Sequence, residues 1–180
     1  MKTILHALSI IAFAASATAC AGTPDPQRAT VIDPELAPNY AEFKSQVDPY
    51  LENRCAMLDC HGQPGRGYRI YSQKGLRLYD PELKLVSGKQ ATTEDEIKAN
   101  YDGLLGLEPE QMRRVLGSNG EDPLSLLLLR KPTLRERHKG GQVMAIDDAG
   151  YRCITEWLKV RGTALMSDNG HRNCGIAKAL

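Results

Sequence analysis

The strongest constraint on what this chain can fold into is the segment Cys55–His61, which places two cysteines and a histidine within seven residues. Two cysteines followed directly by a histidine are typical of covalently attached haem, where each thiol adds to a vinyl group and the histidine binds the iron. The usual motif has two residues between the cysteines, whereas this chain has four. A disulfide between Cys55 and Cys60, or a zinc site, would use the same residues.

The first 19 residues have the pattern of a signal peptide that is removed on export. Lys2 supplies a positive charge, an apolar stretch without charged residues follows over 4–19, and Ala17-Thr18-Ala19 is a small-residue cleavage site. Cys20 comes next, where a bacterial lipoprotein carries its lipid. The alternative is ordinary cleavage that leaves a free N-terminal cysteine. We therefore predict export to the periplasm or cell envelope, with a lipid on Cys20 anchoring the protein to the outer membrane.

Three regions are expected after the signal peptide. Residues 20–39 carry four prolines and few large apolar side chains, which predicts an extended tether between the anchor and the domain. Residues 40–162 are enough for one domain with a modest core, and residues 163–180 form a polar tail. The formal net charge is only +1, so neither nucleic acid nor a generic anionic surface is indicated as a partner.

The pattern of the domain predicts an all-α fold, with several helices joined by long loops. Apolar residues at three- and four-residue steps over 40–54 predict an amphipathic helix, which Pro49 should kink or restart. Thr93 and Pro109 mark the starts of two further helices, and Asp122-Pro123 marks another. Asp147 is expected to cap a last helix that bears Tyr151, Ile154, Trp157 and Leu158 and stops at Gly162.

The number of cysteines is compatible with more than one arrangement. Once Cys20 is assigned to lipid, four remain, at positions 55, 60, 153 and 174, which is an even number in an oxidising compartment. If Cys55 and Cys60 hold haem, Cys153 and Cys174 are the natural pair, and their bridge would tie the tail back onto the last helix. Two disulfides without haem would also use all four cysteines, so the cysteine count alone does not distinguish haem attachment from a second disulfide.

Several short motifs of this chain resemble planctomycete-type cytochrome c domains. The stretch Phe43–Leu51 with its Val-x-Pro step precedes Cys55 and Cys60-His61-Gly62, as the first helix does there. The segments 125–132, His138–Gly141, 148–151 and 157–162 resemble later parts of the same domains, in the expected order. The four-residue cysteine spacing is closer still to that of secreted lipoproteins of the myxobacterial kind. The resemblance covers roughly residues 40–162, and the wider spacing and the two C-terminal cysteines depart from it.

This resemblance implies a cytochrome c-like fold and electron transfer through a single haem c. Cys55 and Cys60 would be the thioether attachments and His61 the proximal iron ligand. The distal ligand would be His138, which opens the Gly-Gly segment, or Met144, which precedes the last helix as the usual methionine does. The electron donor and acceptor are not indicated, and the lipid anchor would provide contact with the membrane.

Other assignments remain possible at this stage. In a haem-free protein, Cys55 and Cys60 would form a disulfide with His61 on the surface, and the domain would act as a binding or structural module of the envelope. Zinc would need a fourth ligand such as His138 or Cys153. Met112 fits a core position, while Met166 and His171 are expected at the surface of the tail.

Residues Arg130, Lys131, Arg135, Arg137 and Lys139 form the one basic cluster. This cluster would balance the haem propionates or dock an acidic partner, or it is simply a solvated loop. The chain has no nucleophile-turn motif, phosphate-binding loop or paired-histidine zinc helix, so the sequence favours an electron carrier over an enzyme.

Overall fold

The computed structural model describes residues 32–179, and this part of the chain is mostly helical. The predicted all-α class is confirmed only in the coarser form of a mainly helical fold, and the cytochrome c-like fold stays a prediction. The only strands of the described part form a small antiparallel hairpin, with Tyr79 opposite Val86. The elements in chain order are α1 (Tyr40–Glu42), α2 (Asp48–Arg54), β1 (Tyr79–Asp80), β2 (Leu85–Val86), α3 (Glu94–Leu105), α4 (Pro109–Gly117), α5 (Leu127–Arg130), α6 (Ala149–Trp157) and α7 (Asp168–Lys178).

Pro49 shapes the first helical stretch as its chemistry predicts. A π-helical segment, Phe43–Val47, connects α1 to α2, and Pro49 lies in the first turn of α2. Because proline has no backbone N–H, it fits best in a first turn, where that donor would have no helical partner. The apolar face continues through the wider turn, since Phe43, Val47 and Leu51 are all buried.

The local start signals of the next helices are also confirmed. The Thr93 side chain accepts a hydrogen bond from Glu96 N at 3.3 Å, and the Glu96 carboxylate accepts one from Thr93 N at 2.9 Å. This reciprocal capping box begins α3. Pro109 occupies the first position of α4, and Met112 of that helix belongs to the core.

The centre of the core joins α6 to the start of the domain. Trp157 is fully buried, its ring centroid lies 5.3 Å from that of Phe43, and its indole N–H donates to the Asn39 carbonyl at 2.9 Å. Ile32 is also buried, and Asn39 N donates to Val160 O at 3.0 Å. Residues 32–39, which the sequence assigns to the tether, therefore pack against the domain.

The C-terminal region differs from the predicted polar tail, because it contains a helix. Asp148, rather than Asp147, caps α6, and α7 packs against α6 after a short connection. Gly170 allows the close approach, since a Cβ there would lie 3.1 Å from the Cβ of Glu156. Met166 is buried between these helices instead of lying on the surface, and the half-exposed His171 contacts Glu42 at 2.9 Å. The bridge expected between Cys153 and Cys174 is present.

Removing this bridge is expected to lower the free energy of unfolding by about 3 kcal/mol, because it closes a loop of roughly 20 residues in the unfolded chain. Both cysteines are fully buried, so the double variant Cys153→Ala/Cys174→Ala avoids leaving a free thiol or a buried hydroxyl. Urea denaturation of the variant and the wild-type protein would measure the difference. Equal unfolding midpoints with equal slopes would contradict the prediction.

The predicted signal peptide (1–19), the lipidation site Cys20 and most of the predicted tether lie outside the described residues. Within residues 32–179, no helix is both long enough and apolar enough to cross a membrane.

Candidate functional site

The segment between Cys55 and His61 forms a closed loop directly after α2. Cys55 N donates to Leu51 O at 2.8 Å, and His61 N donates to the Cys55 carbonyl at 2.9 Å. Gly62 is required here, because a Cβ at this position would lie 2.0 Å from the Ala56 carbonyl oxygen. The loop thus returns His61 to the end of the helix that carries Cys55.

The extra residues between the cysteines point mainly outwards. Ala56 is fully buried, whereas the Met57 and Leu58 side chains are 46% and 65% exposed and Asp59 is exposed. This is the outward bulge that haem attachment would need at the wider spacing. The four-residue spacing is therefore accommodated without placing Asp59 in the protein interior.

Cys55 and Cys60 carry free thiols, in contrast to the bonded pair at Cys153 and Cys174. Desolvation raises the pKa of the Cys55 thiol to about 12, and the neighbouring Cys60 adds to the effect. Desolvation also raises the pKa of Cys60, with a further contribution from Asp59. Both sulfurs are therefore protonated at neutral pH, and Cys55 and Cys60 are not bonded to each other in this structure.

His61 is held in one tautomer by the backbone. Its Nδ1 lies 2.9 Å from the Tyr68 carbonyl oxygen. Because a carbonyl oxygen only accepts, Nδ1 must carry the proton, and Nε2 keeps a free lone pair. Desolvation lowers the pKa of His61, and electrostatic interactions with His138 and Arg66 lower it further, which outweighs the raising effect of the hydrogen bond to Tyr68, so the His61 ring is neutral at pH 7. This is the protonation state of a metal-binding imidazole.

His138 has the same arrangement. Its Nδ1 donates to the Gly141 carbonyl at 2.8 Å, so Nδ1 carries a proton and Nε2 is the ring nitrogen left for a ligand. Gly140 lies directly under the ring, where an added Cβ would be 3.3 Å from the ring carbon Cε1. Gly141 has a φ of +75°, a conformation that favours glycine. The His138-Lys139-Gly140-Gly141 sequence therefore has a physical role, which is to hold this imidazole.

The two imidazoles lie side by side although they are far apart in the sequence. Their ring centroids are 6.2 Å apart and their planes are within 13° of parallel. Metal–imidazole bonds are about 2 Å long, and a ring nitrogen is about 1 Å from its ring centre, so two imidazoles on opposite sides of one metal ion have centroids about 6 Å apart. The stacked His61 and His138 rings have a centroid separation of this size.

Of the two candidate distal residues, the structure brings His138 next to His61. Met144 is buried and belongs to the hydrophobic core. Among residues 32–179, no three His, Cys, Asp or Glu side chains come together as a metal site. Cys153 is already bonded to Cys174, so it is not available as the fourth zinc ligand that the sequence allowed.

A cavity of about 580 Å³ lies beside His138 and is lined by His138, Lys131, Arg137 and Lys139. Ligand pockets of proteins commonly have volumes of about 300–1,000 Å³. The basic cluster is only partly neutralised. Glu136 binds Arg130 and Lys131, each at 2.8 Å, and Glu108 also binds Arg130, while Arg137 and Lys139 remain at the cavity.

Sequence reasoning missed Tyr68, which supplies the carbonyl that holds His61. Its ring centroid lies 5.1 Å from that of His61, and its buried hydroxyl has no hydrogen-bond partner among the described residues. Tyr68 lies in a glycine-rich loop seven residues after His61. No motif marks it, since its contribution comes from a backbone atom that every residue has.

The chain was also compared with protein families, with curated proteins and with solved structures. None of these comparisons found a match.

Proposed function

We propose that this protein is an exported lipoprotein whose cytochrome c-like domain carries electrons through one covalently attached haem. The observation that carries the proposal is the pair of parallel imidazoles, His61 and His138, with ring centroids 6.2 Å apart. This pair lies beside two free thiols, in the order Cys-Cys-His that haem attachment requires.

The donor set fits haem better than it fits zinc or a disulfide. Cys55 and Cys60 would hold the porphyrin by thioether bonds, and His61 and His138 would bind the iron with Nε2. The group would supply a reversible one-electron change at its iron. The carbonyls of Tyr68 and Gly141 each accept a hydrogen bond from the Nδ1 of one imidazole, which leaves Nε2 of both rings for a metal.

The surroundings of His138 suit the porphyrin ring of the haem and its two carboxylates. The adjacent cavity has the volume of a ligand pocket, and its Lys131, Arg137 and Lys139 side chains suit the porphyrin's two carboxylates. The exposed Met57 and Leu58 side chains provide apolar surface on the attachment loop. The orphaned hydroxyl of Tyr68 is a further polar group close to the site.

Export and lipid anchoring belong to the same proposal. They are supported by the pattern of residues 1–20 and by the Cys153–Cys174 bridge, since structural disulfides form in oxidising compartments. The bridge would form equally well in a haem-free envelope module. The paired histidines are the feature that favours the haem-binding protein over such a module.

Expression of the full chain together with a cytochrome c maturation system tests the proposal. After denaturation and extraction, haem is expected to stay on the wild-type polypeptide and to be lost from the Cys55→Ser/Cys60→Ser variant. The matched control is Cys153→Ala/Cys174→Ala, which also removes two cysteines and should keep the haem. A colourless wild-type protein from a strain that matures other c-type cytochromes would rule the function out.

A further inference from the structure

A buried asparagine on α3 is linked through one backbone segment to the ring of His61. Asn100 is fully buried and makes three hydrogen bonds. Its Oδ1 accepts from Tyr71 N at 2.7 Å, and its Nδ2 donates to the Tyr71 carbonyl at 2.8 Å and to the Asp48 carboxylate at 2.9 Å. Because an N–H must donate and a carbonyl must accept, these partners fix the orientation of the amide.

The backbone segment 68–71 connects the hydrogen bonds of Asn100 at Tyr71 to the ring of His61. Ile70 N donates to the His61 carbonyl at 2.9 Å, and the Tyr68 carbonyl accepts from His61 Nδ1 at the same distance. One end of the segment is therefore fixed by Asn100, and the other end holds the imidazole. The bond to Asp48 in turn fixes the Asn100 side chain to α2, the helix that leads into Cys55.

We propose that Asn100 is a positioning residue for His61, holding the Tyr68 carbonyl where it fixes the tautomer and orientation of the ring. The inference rests on the proposed function in one respect, namely that His61 is an iron ligand. A hydrogen bond from Nδ1 to a carbonyl makes Nε2 the binding atom and makes the ring a stronger donor to the metal. Asn100 therefore acts on His61, which lies 39 residues earlier in the sequence, through the backbone of residues 68–71.

The first test uses the haem-free full chain, so it does not depend on the cofactor. Nitrogen NMR of the histidine side chains distinguishes the tautomer protonated on Nδ1 from the one protonated on Nε2. In the wild-type protein, His61 is expected to be protonated on Nδ1. In Asn100→Ala, at least a third of His61 is expected to shift to the other tautomer.

Asn39→Ala is the matched control, because Asn39 is also a buried asparagine that bonds across the domain. Its Nδ2 donates to Ala164 O at 2.8 Å, and its Oδ1 caps α1 by accepting from Glu42 N at 3.0 Å. This variant should lose stability without changing the tautomer of His61. Should Asn100→Ala fail to fold, Asn100→Ser decides instead, since its single hydroxyl donor cannot bond both the Tyr71 carbonyl and Asp48 as the asparagine amide does.

The second test uses the haem-loaded protein. A weaker bond from Nδ1 makes His61 a poorer donor to ferric iron, so the midpoint potential should rise in both Asn100 variants and stay constant in Asn39→Ala. A threefold to tenfold change in the relative stability of the two oxidation states corresponds to about 30–60 mV for one electron.

The outcomes separate this proposal from the proposed function. If neither Asn100 variant changes the His61 tautomer, the positioning role is wrong, whatever the haem content. If the tautomer changes but the wild-type protein attaches no haem, the positioning role stands and the electron-transfer function fails. If Asn39→Ala has the same effects as the Asn100 variants, general destabilisation is the cause and the positioning role is wrong.

Discussion

Replacing Asp48 by asparagine is expected to stabilise the protein at pH 8 by up to about 5 kcal/mol and to change little below about pH 4. The Asp48 side chain is only 1% exposed, and its partner at Oδ1 is the neutral amide of Asn100. Desolvation raises the pKa of Asp48 to about 8, and the carboxylate of Glu52 one turn later adds to this, while the Asn100 hydrogen bond acts in the opposite direction.

The direction of the effect follows from proton binding. The folded state keeps a proton on Asp48 up to about pH 8, whereas the unfolded chain releases it near the ordinary aspartate pKa of about 3.9. The stability associated with Asp48 is therefore complete below about pH 4 and is lost as the pH rises towards 8. Asparagine keeps the oxygen that accepts from Asn100 and has no charge to bury.

Urea denaturation at pH 5, 6, 7 and 8 would measure this difference. The variant should unfold at higher urea concentration than the wild-type protein, and the gap should widen with pH. Asp102→Asn is a suitable control, since Asp102 is exposed and pairs with Lys98 on the surface of α3. Parallel pH profiles for the wild-type protein and Asp48→Asn would show that Asp48 is ionised in the folded state.

Replacing His138 by alanine in the haem-loaded protein is expected to raise the midpoint potential by on the order of 100 mV. A second imidazole favours ferric iron, so its loss favours the reduced state. His138 is the candidate whose ring lies parallel to His61, and its Nδ1 is held by the Gly141 carbonyl. The optical spectrum should change at the same time from a six-coordinate form to a form with an open or solvent-bound position.

Met144→Leu provides the matched control, because leucine conserves most of the volume of a buried methionine. This variant should keep the potential and the spectrum of the wild-type protein. The opposite pattern, with no effect in His138→Ala and a lower potential in Met144→Leu, would assign the distal position to Met144. Potentiometric titration followed by absorption spectroscopy distinguishes the two cases.

The features that the sequence predicted correctly depend on neighbouring residues. The buried face of Phe43, Val47 and Leu51 repeats at helical spacing, and the effect of Pro49 follows from its missing N–H. The capping box of Thr93 lies within four residues of the chain. Each signal is complete in one short stretch, so it can be recognised without knowing the rest of the fold.

The helix α7 was missed because its buried face is made of small residues. Gly170, Cys174 and Ala177 recur at helical spacing, yet none of them has a large apolar side chain. Their burial comes from close packing against α6, which Gly170 permits and the disulfide fixes. A stretch whose stability depends on a partner element carries little hydrophobic signal of its own.

The candidate site was predictable only in its local part. The Cys55–His61 segment is a motif, whereas the approach of His138 joins parts of the chain separated by 77 residues. The role of Asn100 was not predictable either, because a polar residue on a helix normally faces solvent. Its importance depends on which backbone segment packs over α3, and that is a property of the tertiary structure.

The Cys153–Cys174 bridge also has a consequence for the order of events during biosynthesis. Cys174 is the last of the four domain cysteines along the chain, and it lies 21 residues after its partner. Until the ribosome has made α7, Cys153 has no native partner, while Cys55 and Cys60 have long been synthesised. If the chain is exported from its N-terminus as proposed, Cys55 and Cys60 also reach an oxidising compartment first, and mispairing of either thiol with Cys153 competes with formation of the Cys153–Cys174 bridge.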